Sequence, residues 1–507
     1  MRAAWIGLVA VGILAGSAPN ALAAVSQVQA APQEAAQGDA TVALTYAAAQ
    51  QRVRSNSSLG RAAGYGMQAA RAQADVAAGL NRPTVALDAQ LIRYRKTFDL
   101  SLGDTLDRAQ AELGAAIPGL IADLPGVPGD VLQSVGQRLE AALPEIFAAL
   151  PQDVRLQVDD TTFRPTVTAL QPIYTGGAIP ALRRAAAANV DLAQAKQQEA
   201  ISLEDVNLAR AYFGQVLAAE ALKIARETRD GFDLHLRNAR LLESQGVLSH
   251  AQTLQVEVAR DAAQRQVNRA ELEHDNAVAS LARVVDTNGA VVPTTPLFVN
   301  RDPIGPAGVF LDQASQTNAR LAQAQAGRDL AEAGADLAAS RMKPSVYAFG
   351  TYNLNPDDAL PTEPDWAVGI GARYTLISTV DRRRMLGAAR AQASAAAEVE
   401  RQARDDARLL VTRAYNQAEL ARRQFLSMDS SLEAASENLR VQEVGFREGE
   451  ATAASVVDAR NLLGAARLQR AAAAYEYDLS LAALLAASGS DLTLNDYLQR
   501  EDRISAP

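Results

Sequence analysis

The order of hydrophobic and polar residues divides the chain into long helical segments and short alternating ones. The long segments are rich in Ala, Leu, Gln, Glu and Arg, which favour helices, and Gly and Pro seldom interrupt them. Helices are predicted at about 41–80, 178–245, 250–284, 307–341, 380–447 and 452–487. The longest would extend roughly 100 Å. Patterns of this length indicate coiled coils or repeats rather than a compact globule.

The alternating segments include two that directly follow prolines expected to end helices, Pro83 and Pro344. Strands are predicted at about 84–96, 162–174, 345–354 and 366–376. In the last of these, large apolar residues alternate with small or polar ones, and one face carries Gly369, Gly371 and Arg373. Such a strand can have lipid on its apolar side and a water-filled lumen, lined by these three residues, on the other. A soluble hairpin with one face on a core is the alternative.

Aromatic residues favour the membrane interpretation. The four predicted strands contain 8 of the 24 aromatic residues, and aromatic rings gather at membrane interfaces. We assign to an aromatic belt the residues Trp366, Tyr374, Tyr347 and Phe349. Four strands cannot close a barrel, and lipid tolerates no open sheet edge. Three copies of the chain would pool twelve strands.

The two halves of the chain follow one plan of helix, strand, strand, long helix, turn and helix. Pro83 matches Pro344 at an offset of 261 residues, and the turn at Gly246 matches Gly449 at an offset of 203. The difference of 58 residues places an insertion at about 97–160, between the first two strands. With 11 acidic and 3 basic residues it has a net charge of −8. We expect it to form an acidic, partly helical domain in which prolines separate short helices.

The first residues have the layout of a secretory signal, with Arg2, an apolar stretch and a small-residue motif ending at Ala23. We therefore predict a signal peptide at 1–23, a flexible segment at 24–40 and a mature chain outside the cytoplasm. No later stretch approaches 18 consecutive apolar residues, so any membrane passage must use strands.

The amino-acid composition argues against several classes of function for this chain. The net charge of −9 argues against a nucleic-acid partner, which requires a basic footprint. The absence of cysteine excludes disulfides, thiolate metal sites and cysteine nucleophiles. Three scattered histidines indicate no metal site, and no motif suggests a cofactor or a catalytic constellation. The sequence therefore predicts a protein that is not an enzyme.

Over roughly residues 41–490 the chain resembles the TolC family of outer-membrane efflux and secretion ducts. The resemblance is carried by the repeat plan, by the junctions at Pro83 and Pro344, and by the segment 171–177. Its most specific part is 449–460, where a turn glycine precedes a threonine and a Val-Val-Asp-Ala stretch.

The resemblance implies a mainly α fold with a small β part, in which each chain contains two helix-strand-strand-long helix-helix repeats. Three chains would form a twelve-strand outer-membrane β-barrel, continuous with a long periplasmic α-helical barrel. The implied parts are a first repeat at 41–285, an equatorial-belt linker at 286–306, a second repeat at 307–487 and a C-terminal equatorial segment at 488–507. In such a duct the first strand runs outward, so the insertion at 97–160 would be extracellular.

The implied function is the passive exit duct of a tripartite efflux pump or of a type I secretion system. Its partners would be copies of itself, a periplasmic adaptor (membrane fusion) protein, an inner-membrane ABC exporter or proton-driven pump, and outer-membrane lipid. The implied location is the outer membrane of a Gram-negative cell, reaching into the periplasm. A non-pore periplasmic coiled-coil scaffold is the alternative, and the exported substrate stays open.

The resemblance also implies site residues at the two helical turns, which would be the periplasmic tips. Those expected to contact an adaptor are Gln245, Gly246, Val247, Leu248, Phe446, Gly449, Ala451 and Thr452. The expected periplasmic gate consists of Asp458, Ser455 and Glu450. The chain departs from the family pattern at Ser455, where the family has a second aspartate, and at Ala451, where it has a basic residue. It also lacks the N-terminal cysteine of lipid-anchored members.

Overall fold

The computed structural model describes residues 42–122, 129–151, 153–358 and 364–506. The predicted signal peptide at 1–23 and the segment at 24–40 lie outside the described residues. The helices are α1 (Tyr46–Asn56), α2 (Ser58–Ala78), α3 (Gly103–Ala122), α4 (Gly129–Ala148), α5 (Ala178–Ser244), α6 (His250–Val284), α7 (Ala307–Thr317), α8 (Ala319–Ser340), α9 (Arg382–Arg447), α10 (Ala453–Ser488) and α11 (Leu494–Leu498). The strands are β1 (Val42–Leu44), β2 (Thr84–Ser101), β3 (Asp153–Tyr174), β4 (Val291–Pro293), β5 (Phe298–Asn300), β6 (Ser345–Asn353), β7 (Trp366–Arg373) and β8 (Arg503–Ser505).

Each of the two predicted shorter N-terminal helices of the repeats is divided in two by a capping residue. Ser57 separates α1 from α2 and accepts a bond from the Gly60 amide, while Asn318 separates α7 from α8 and accepts one from the Leu321 amide. Both pairs are related by the offset of 261 residues that relates the prolines. A side-chain acceptor at this position satisfies an amide that lacks a helical partner. The helix is therefore interrupted at the same place in both repeats, because each repeat has a capping side chain there.

The long helices form an elongated layer that determines where the sheet and the turns lie. Helix α5 packs on α2 and α8 towards one end and on α6 and α10 towards the other, while α9 packs on α8 and α10. Small residues along the contacts, such as Ala188, Ala209, Ala418 and Ala474, are almost completely buried. Close approach of backbones is possible where side chains are this small, which explains the abundance of alanine.

A four-stranded antiparallel sheet follows the prolines in the order β2-β3-β6-β7. The register pairs Val85 with Ala169, Leu170 with Phe349, and Phe349 with Gly369. Strands β2 and β7 each have one edge without a partner strand among the described residues. Strands β2 and β3 continue well beyond β6, which stops at Asn353 opposite Thr166.

The insertion contains α3 and α4, which pack on each other between β2 and β3. Our expectation that prolines separate short helices here is wrong at two positions, because Pro118 lies inside α3 and Pro144 inside α4. Both prolines are exposed, so water can satisfy the carbonyl that each one leaves without a helical partner.

The largest core lies where the linker and the C-terminal segment meet the helices. Strand β1 pairs with β4 and β5 pairs with β8. The hydroxyl of Tyr212 donates to Leu44 O (2.7 Å) and accepts from the amides of Thr294 (3.0 Å) and Thr295 (2.9 Å). Tyr46, Tyr212 and Phe213 pack ring against ring, with centroids 5.2 to 5.5 Å apart. These contacts fix the linker against the long helices.

Candidate functional site

One face of the four-stranded sheet is apolar and exposed. Directly paired residues of antiparallel strands share a face, and the register therefore places on this face Val85, Leu87, Leu91, Phe163, Val167, Ala169, Gly350, Tyr352, Trp366, Val368 and Ile370. Leu91 and Ile370 are each 74% exposed and Val368 is 72% exposed. Contiguous exposed apolar surface of this kind marks an interaction with a membrane or another protein.

The opposite face is polar and partly covered. It carries Asp88, Gln90, Arg164, Thr166, Thr168, Thr351, Gly369, Gly371 and Arg373. The hydroxyl of Thr168 donates to the Asp88 carboxylate at 3.2 Å, and Thr166 is buried. The three residues predicted to line a lumen thus share the polar face, opposite Val368 and Ile370.

The predicted aromatic belt is divided between the two faces. Trp366 lies on the apolar face, beside Tyr352, whereas Tyr347 and Phe349 lie on the polar face opposite Gly371 and Gly369. A Cβ added at Gly371 would come within 2.6 Å of the Tyr347 ring, and one at Gly369 within 2.9 Å of the Phe349 ring. These two rings therefore cover glycines on the polar face, which corrects their assignment to one belt with Trp366. Tyr374, just after β7, is exposed.

The two turns at the far end of the helices have the same backbone. Gly246 and Gly449 have φ values of 74° and 79°, which glycine adopts without the steric cost that other residues meet. The amide of Val247 donates to Leu242 O at 2.9 Å, and the matched amide of Glu450 donates to Gly445 O at 2.8 Å. Around the first turn, Gln245 is the C-cap of α5, Val247 is exposed and Leu248 is half-buried.

The side chain of Ser455, predicted to be part of the gate, contributes to a helix cap. Thr452 Oγ1 accepts from the Ser455 amide at 3.1 Å and lies 2.7 Å from Ser455 Oγ. Asp458, one turn further along α10, is exposed, and so is Glu450 in the turn. Asp458 is therefore an accessible carboxylate beside the second turn, whereas Ser455 is held by Thr452.

A buried cluster lies behind the second turn and joins both helical hairpins. His235 of α5 is almost completely buried, and its Nε2 lies 3.3 Å from Ala453 O at the start of α10. The rings of His235 and Phe446 meet edge to face with centroids 4.6 Å apart. Burial lowers the pKa of His235 below its ordinary value, and the nearby Arg460 lowers it further against the opposing bond to Ala453. The neutral imidazole is therefore favoured in this cluster.

An ion pair lies beside His235 in the same cluster. The Arg460 guanidinium contacts the Glu443 carboxylate and lies 5.9 Å from the centre of the Phe232 ring. Burial lowers the pKa of Arg460, and Glu443 opposes that effect. Sequence reasoning did not find the group formed by His235, Glu443 and Arg460, because its members lie on α5, α9 and α10 and no local spacing connects them.

Among the described residues, no helix is long and apolar enough to cross a membrane. Within the same ranges, no group of three or more His, Cys, Asp or Glu side chains is placed to hold a metal ion.

Comparison with known proteins gives a match to a family model over part of the chain and a fold over most of it. Residues 310–490 match the family model described as outer membrane efflux protein. Protein CyaE of Bordetella pertussis is 28% identical over 273 residues, which are 50% of this chain and 56% of that relative. The match thus spans little more than half of the relative's length.

Solved structures of similar shape cover most of the chain. A membrane protein from Pseudomonas aeruginosa matches with a TM-score of 0.68 and 13% identity, over 88% of this chain and 93% of that one. The Campylobacter jejuni CmeC outer membrane channel matches with a TM-score of 0.66 and 13% identity, over 90% and 89% of the two chains. At this identity the likeness shows the fold.

A sheet with an exposed apolar face, carried on long paired helices, defines a protein with the fold of outer-membrane channels. Residues 310–490 match the model of the outer membrane efflux protein family, and the chain's predicted resemblance to the TolC family is confirmed. It is located in the outer membrane of a Gram-negative bacterium.

Proposed function

We propose that three copies of the chain form the passive exit duct of a tripartite efflux pump or a type I secretion system. The duct would consist of a twelve-strand barrel in the outer membrane and a helical tunnel that reaches through the periplasm. Substrate would pass from an adaptor and an inner-membrane transporter to the cell exterior. Drug, metal and protein substrates are all compatible with this proposal.

The exposed apolar face of the sheet carries the proposal. A sheet in lipid must leave no backbone group unpaired, and the outer edges of β2 and β7 have no partner strand among the described residues. Pairing β7 of one copy with β2 of the next would satisfy both edges and close the sheet. The apolar face would then meet lipid, and the polar face with Gly369, Gly371 and Arg373 would line the lumen.

The edges of the helical layer support the same arrangement. Helix α9 forms one edge and exposes Val399 (61%) and Leu420 (56%). Helices α2 and α6 form the other edge and expose Tyr65 (68%), Val258 (67%) and Leu272 (67%). Packing the α9 edge of one copy against the α2 and α6 edge of the next would cover apolar residues on both sides.

The second turn is proposed as the periplasmic gate. Three-fold repetition of the exposed Asp458 would put a ring of carboxylates at a constriction, with Glu450 nearby, and such a ring favours cations. The residues around both turns, including Val247, Leu248, Ala451 and Thr452, would contact the adaptor. Phe446, predicted to belong to this set, is instead buried behind the second turn. Asp458→Ala should lower cation selectivity in planar bilayers, and unchanged selectivity would remove Asp458 from the gate.

The insertion at 97–160 is proposed to be extracellular. The β2–β3 hairpin continues beyond β6 on the side away from the helices, and α3 and α4 lie at its end. Protease added to intact cells should therefore cut this segment. Cleavage only after the periplasm is opened would reverse the proposed orientation.

Cysteine labelling and conductance test the duct itself, because the chain has no native cysteine. A cysteine in place of Arg373, which is exposed on the polar face, should react with a polar thiol reagent through the lumen. Cysteines in place of Val368 and Ile370 should be protected by lipid. Detergent-extracted trimers should conduct ions as single channels. A water-soluble rod without conductance would instead support the scaffold.

A further inference from the structure

The places where the strands join the helices form a strongly basic region in an acidic protein. We define this junction band by residues 79–84, 174–184, 341–345 and 373–384. It contains nine basic residues and one acidic residue, a net charge of +8, whereas the whole chain has a net charge of −9. The basic residues are Arg82, Arg183, Arg184, Arg341, Lys343, Arg373, Arg382, Arg383 and Arg384.

The parts of the band are close together in space. Gln171 donates to Asn81 O at 2.6 Å, and Gly176 lies so close to α8 that a Cβ there would be 2.7 Å from Ser340 O. Ser345 pairs with Arg373 at the ends of β6 and β7. All four strand-to-helix junctions therefore lie at the same end of the sheet, and their charges add.

Two of the arginines have structural roles that explain their position. Arg183 Nη2 donates to Ala78 O at 2.6 Å, and Arg382 Nη1 donates to Arg341 O at 3.1 Å. Each guanidinium thus satisfies carbonyls at or just after the C-terminus of a preceding helix, where a cation is also favoured by the helix dipole. Packing of the junction accounts for these two residues without any ligand.

Most of the other basic residues are exposed, and only some of them have an acidic partner. Arg184 pairs with Asp336 at 2.6 Å, and Arg384 lies 3.3 Å from Asp381 although its side chain is 91% exposed. Among the described residues, no carboxylate pairs with the exposed side chains of Arg82, Lys343, Arg373 and Arg383. Unpaired like charges repel one another, so an anionic ligand would relieve the repulsion.

An exposed apolar loop lies next to this charge. The segment 374–381 joins β7 to α9, and Leu376 and Ile377 are 79% and 93% exposed. Arg382 Nη2 donates to Leu376 O at 3.3 Å, which holds the loop against the start of α9. The loop directly continues the strand that carries Val368 and Ile370, so its apolar side chains border the apolar face of the sheet. Apolar groups beside excess positive charge match the boundary between acyl chains and anionic headgroups.

We infer that the junction band binds the anionic headgroups of glycerophospholipids in the periplasmic leaflet, with Leu376 and Ile377 inserted among the acyl chains. The inference rests on the proposed function only for the orientation of the sheet in the membrane. The phosphodiester charge supplies the counterion that the exposed arginines and Lys343 lack. The acidic insertion lies beyond the opposite end of the sheet, so the charge distribution also favours one orientation across the bilayer.

Lipid retention by the purified trimer tests the headgroup contact. Phosphatidylglycerol and phosphatidylcholine are added in equal amounts to the detergent-solubilised trimer, and the bound lipids are counted by native mass spectrometry. The triple variant Lys343→Gln, Arg383→Gln, Arg384→Gln should retain phosphatidylglycerol about ten-fold less well, because each basic residue near an anionic surface adds attraction. Binding of phosphatidylcholine should not change.

A matched variant controls for loss of charge alone. Arg408, Arg413 and Arg423 are exposed on the same helix α9, and the first of them lies about 36 Å from Arg384 at the helical rise. Replacing these three by Gln should leave phosphatidylglycerol retention unchanged. Equal retention by the junction variant and the native chain, or equal losses in both variants, would overturn the inference.

Fluorescence quenching tests the loop and separates this inference from the proposed duct. A cysteine-linked fluorophore at position 377 should be quenched by a lipid spin label near the headgroup, one at 368 by a label deeper in the acyl chains, and one at 454 near the second turn by neither. Quenching at 368 without quenching at 377 would overturn the loop insertion and leave the duct standing. Quenching at neither position would overturn the duct.

Discussion

The turn between α5 and α6 and the turn between α9 and α10 share a backbone but differ in what lies behind them. The offset of 203 residues relates Gly246 to Gly449, and it also relates the caps Ser249 and Thr452. The first turn is the more exposed one: Val247 is 66% exposed, and Leu242 and Leu248 are only partly buried at the edge of a core. The second lies over a core in which Phe446 is 4% exposed and Ala453 is fully buried. Identical local structure therefore supports a more exposed tip in one repeat and a more deeply packed tip in the other.

The two turns are therefore expected to respond differently to a binding partner. Residues of α5, α6, α9 and α10 all contribute to the core behind the second turn, so this turn moves only if both hairpins move. The first turn contributes only the partly buried Leu242 and Leu248 to the edge of this core. An adaptor that binds the first turn would therefore meet a more exposed surface, whereas displacement of the second turn would repack the cluster around His235.

The largest expected effect is that of Phe446→Ala. The ring packs on His235 at 4.6 Å between centroids, and removing a buried phenylalanine costs about 3–5 kcal/mol. Amide hydrogen exchange should show this loss as easier local opening of residues near the second turn. Val247→Ala shortens an apolar side chain at the first turn, where the exposed side chain should contribute less than about 0.5 kcal/mol. Similar effects at the two turns would contradict the comparison.

The next effect should be equal at both turns. Gly246→Ala and Gly449→Ala each place a Cβ in open space but at a positive φ, so each should cost about 1–2 kcal/mol of conformational energy. Local opening measured by hydrogen exchange gives both values.

A glycine inside a helix serves as the control. In α8, Gly327 also has open space around its Cβ position but has an ordinary helical backbone. Gly327→Ala should therefore stabilise its helix by about 1 kcal/mol, and a loss there would point to an unrecognised contact.

Removal of the caps should have a smaller effect. Ser249 and Gln252 form a reciprocal capping box, whereas Thr452 caps α10 through the Ser455 amide. Ser249→Ala and Thr452→Ala should each destabilise the start of their helix by about 1 kcal/mol. Thr412 in the middle of α9 bonds to Arg408 O at 2.8 Å, and Thr412→Ala should have little effect because no end amide depends on it. An equally large loss at Thr412 would show that the measurement does not report capping.

A pH dependence confined to the second turn is the smallest expected effect. Burial lowers the pKa of His235, so the unfolded chain takes up a proton more readily than the folded one. The stability that neutral His235 gives is therefore complete above the unfolded pKa of about 6.5 and is lost progressively as the pH falls from there through the lower pKa of the folded state. Arg460, paired with Glu443, faces the same cluster and adds to the repulsion of a second cation.

Hydrogen exchange corrected for intrinsic rates should show this acid loosening at residues 446–456 and not at 242–252. His250, near the first turn, is 74% exposed at its side chain and contacts Glu243. His235→Gln should abolish the acid response, whereas His250→Gln should leave it. A response that survives in His235→Gln would assign it to another group.

The sequence alone predicted the features that depend on a few neighbouring residues. The helix ends near Pro83 and Pro344, the turns at Gly246 and Gly449 and the repeat offsets follow from backbone preferences that act within about four residues. The alternation in 366–374 likewise predicted which residues share a face with Gly369. The resemblance to a family then supplied the arrangement of these elements.

Only the tertiary structure decided the features that depend on distant partners. The register between β6 and β7 places Tyr347 and Phe349 over glycines on the polar face, and so separates them from Trp366. The burial of His235 depends on Ala453, 218 residues further along the chain. In both cases the sequence gives the identity of the side chain, but the residues that surround it belong to a different helix or strand. Those surroundings are fixed by the packing of whole helices and strands, which local preferences do not specify.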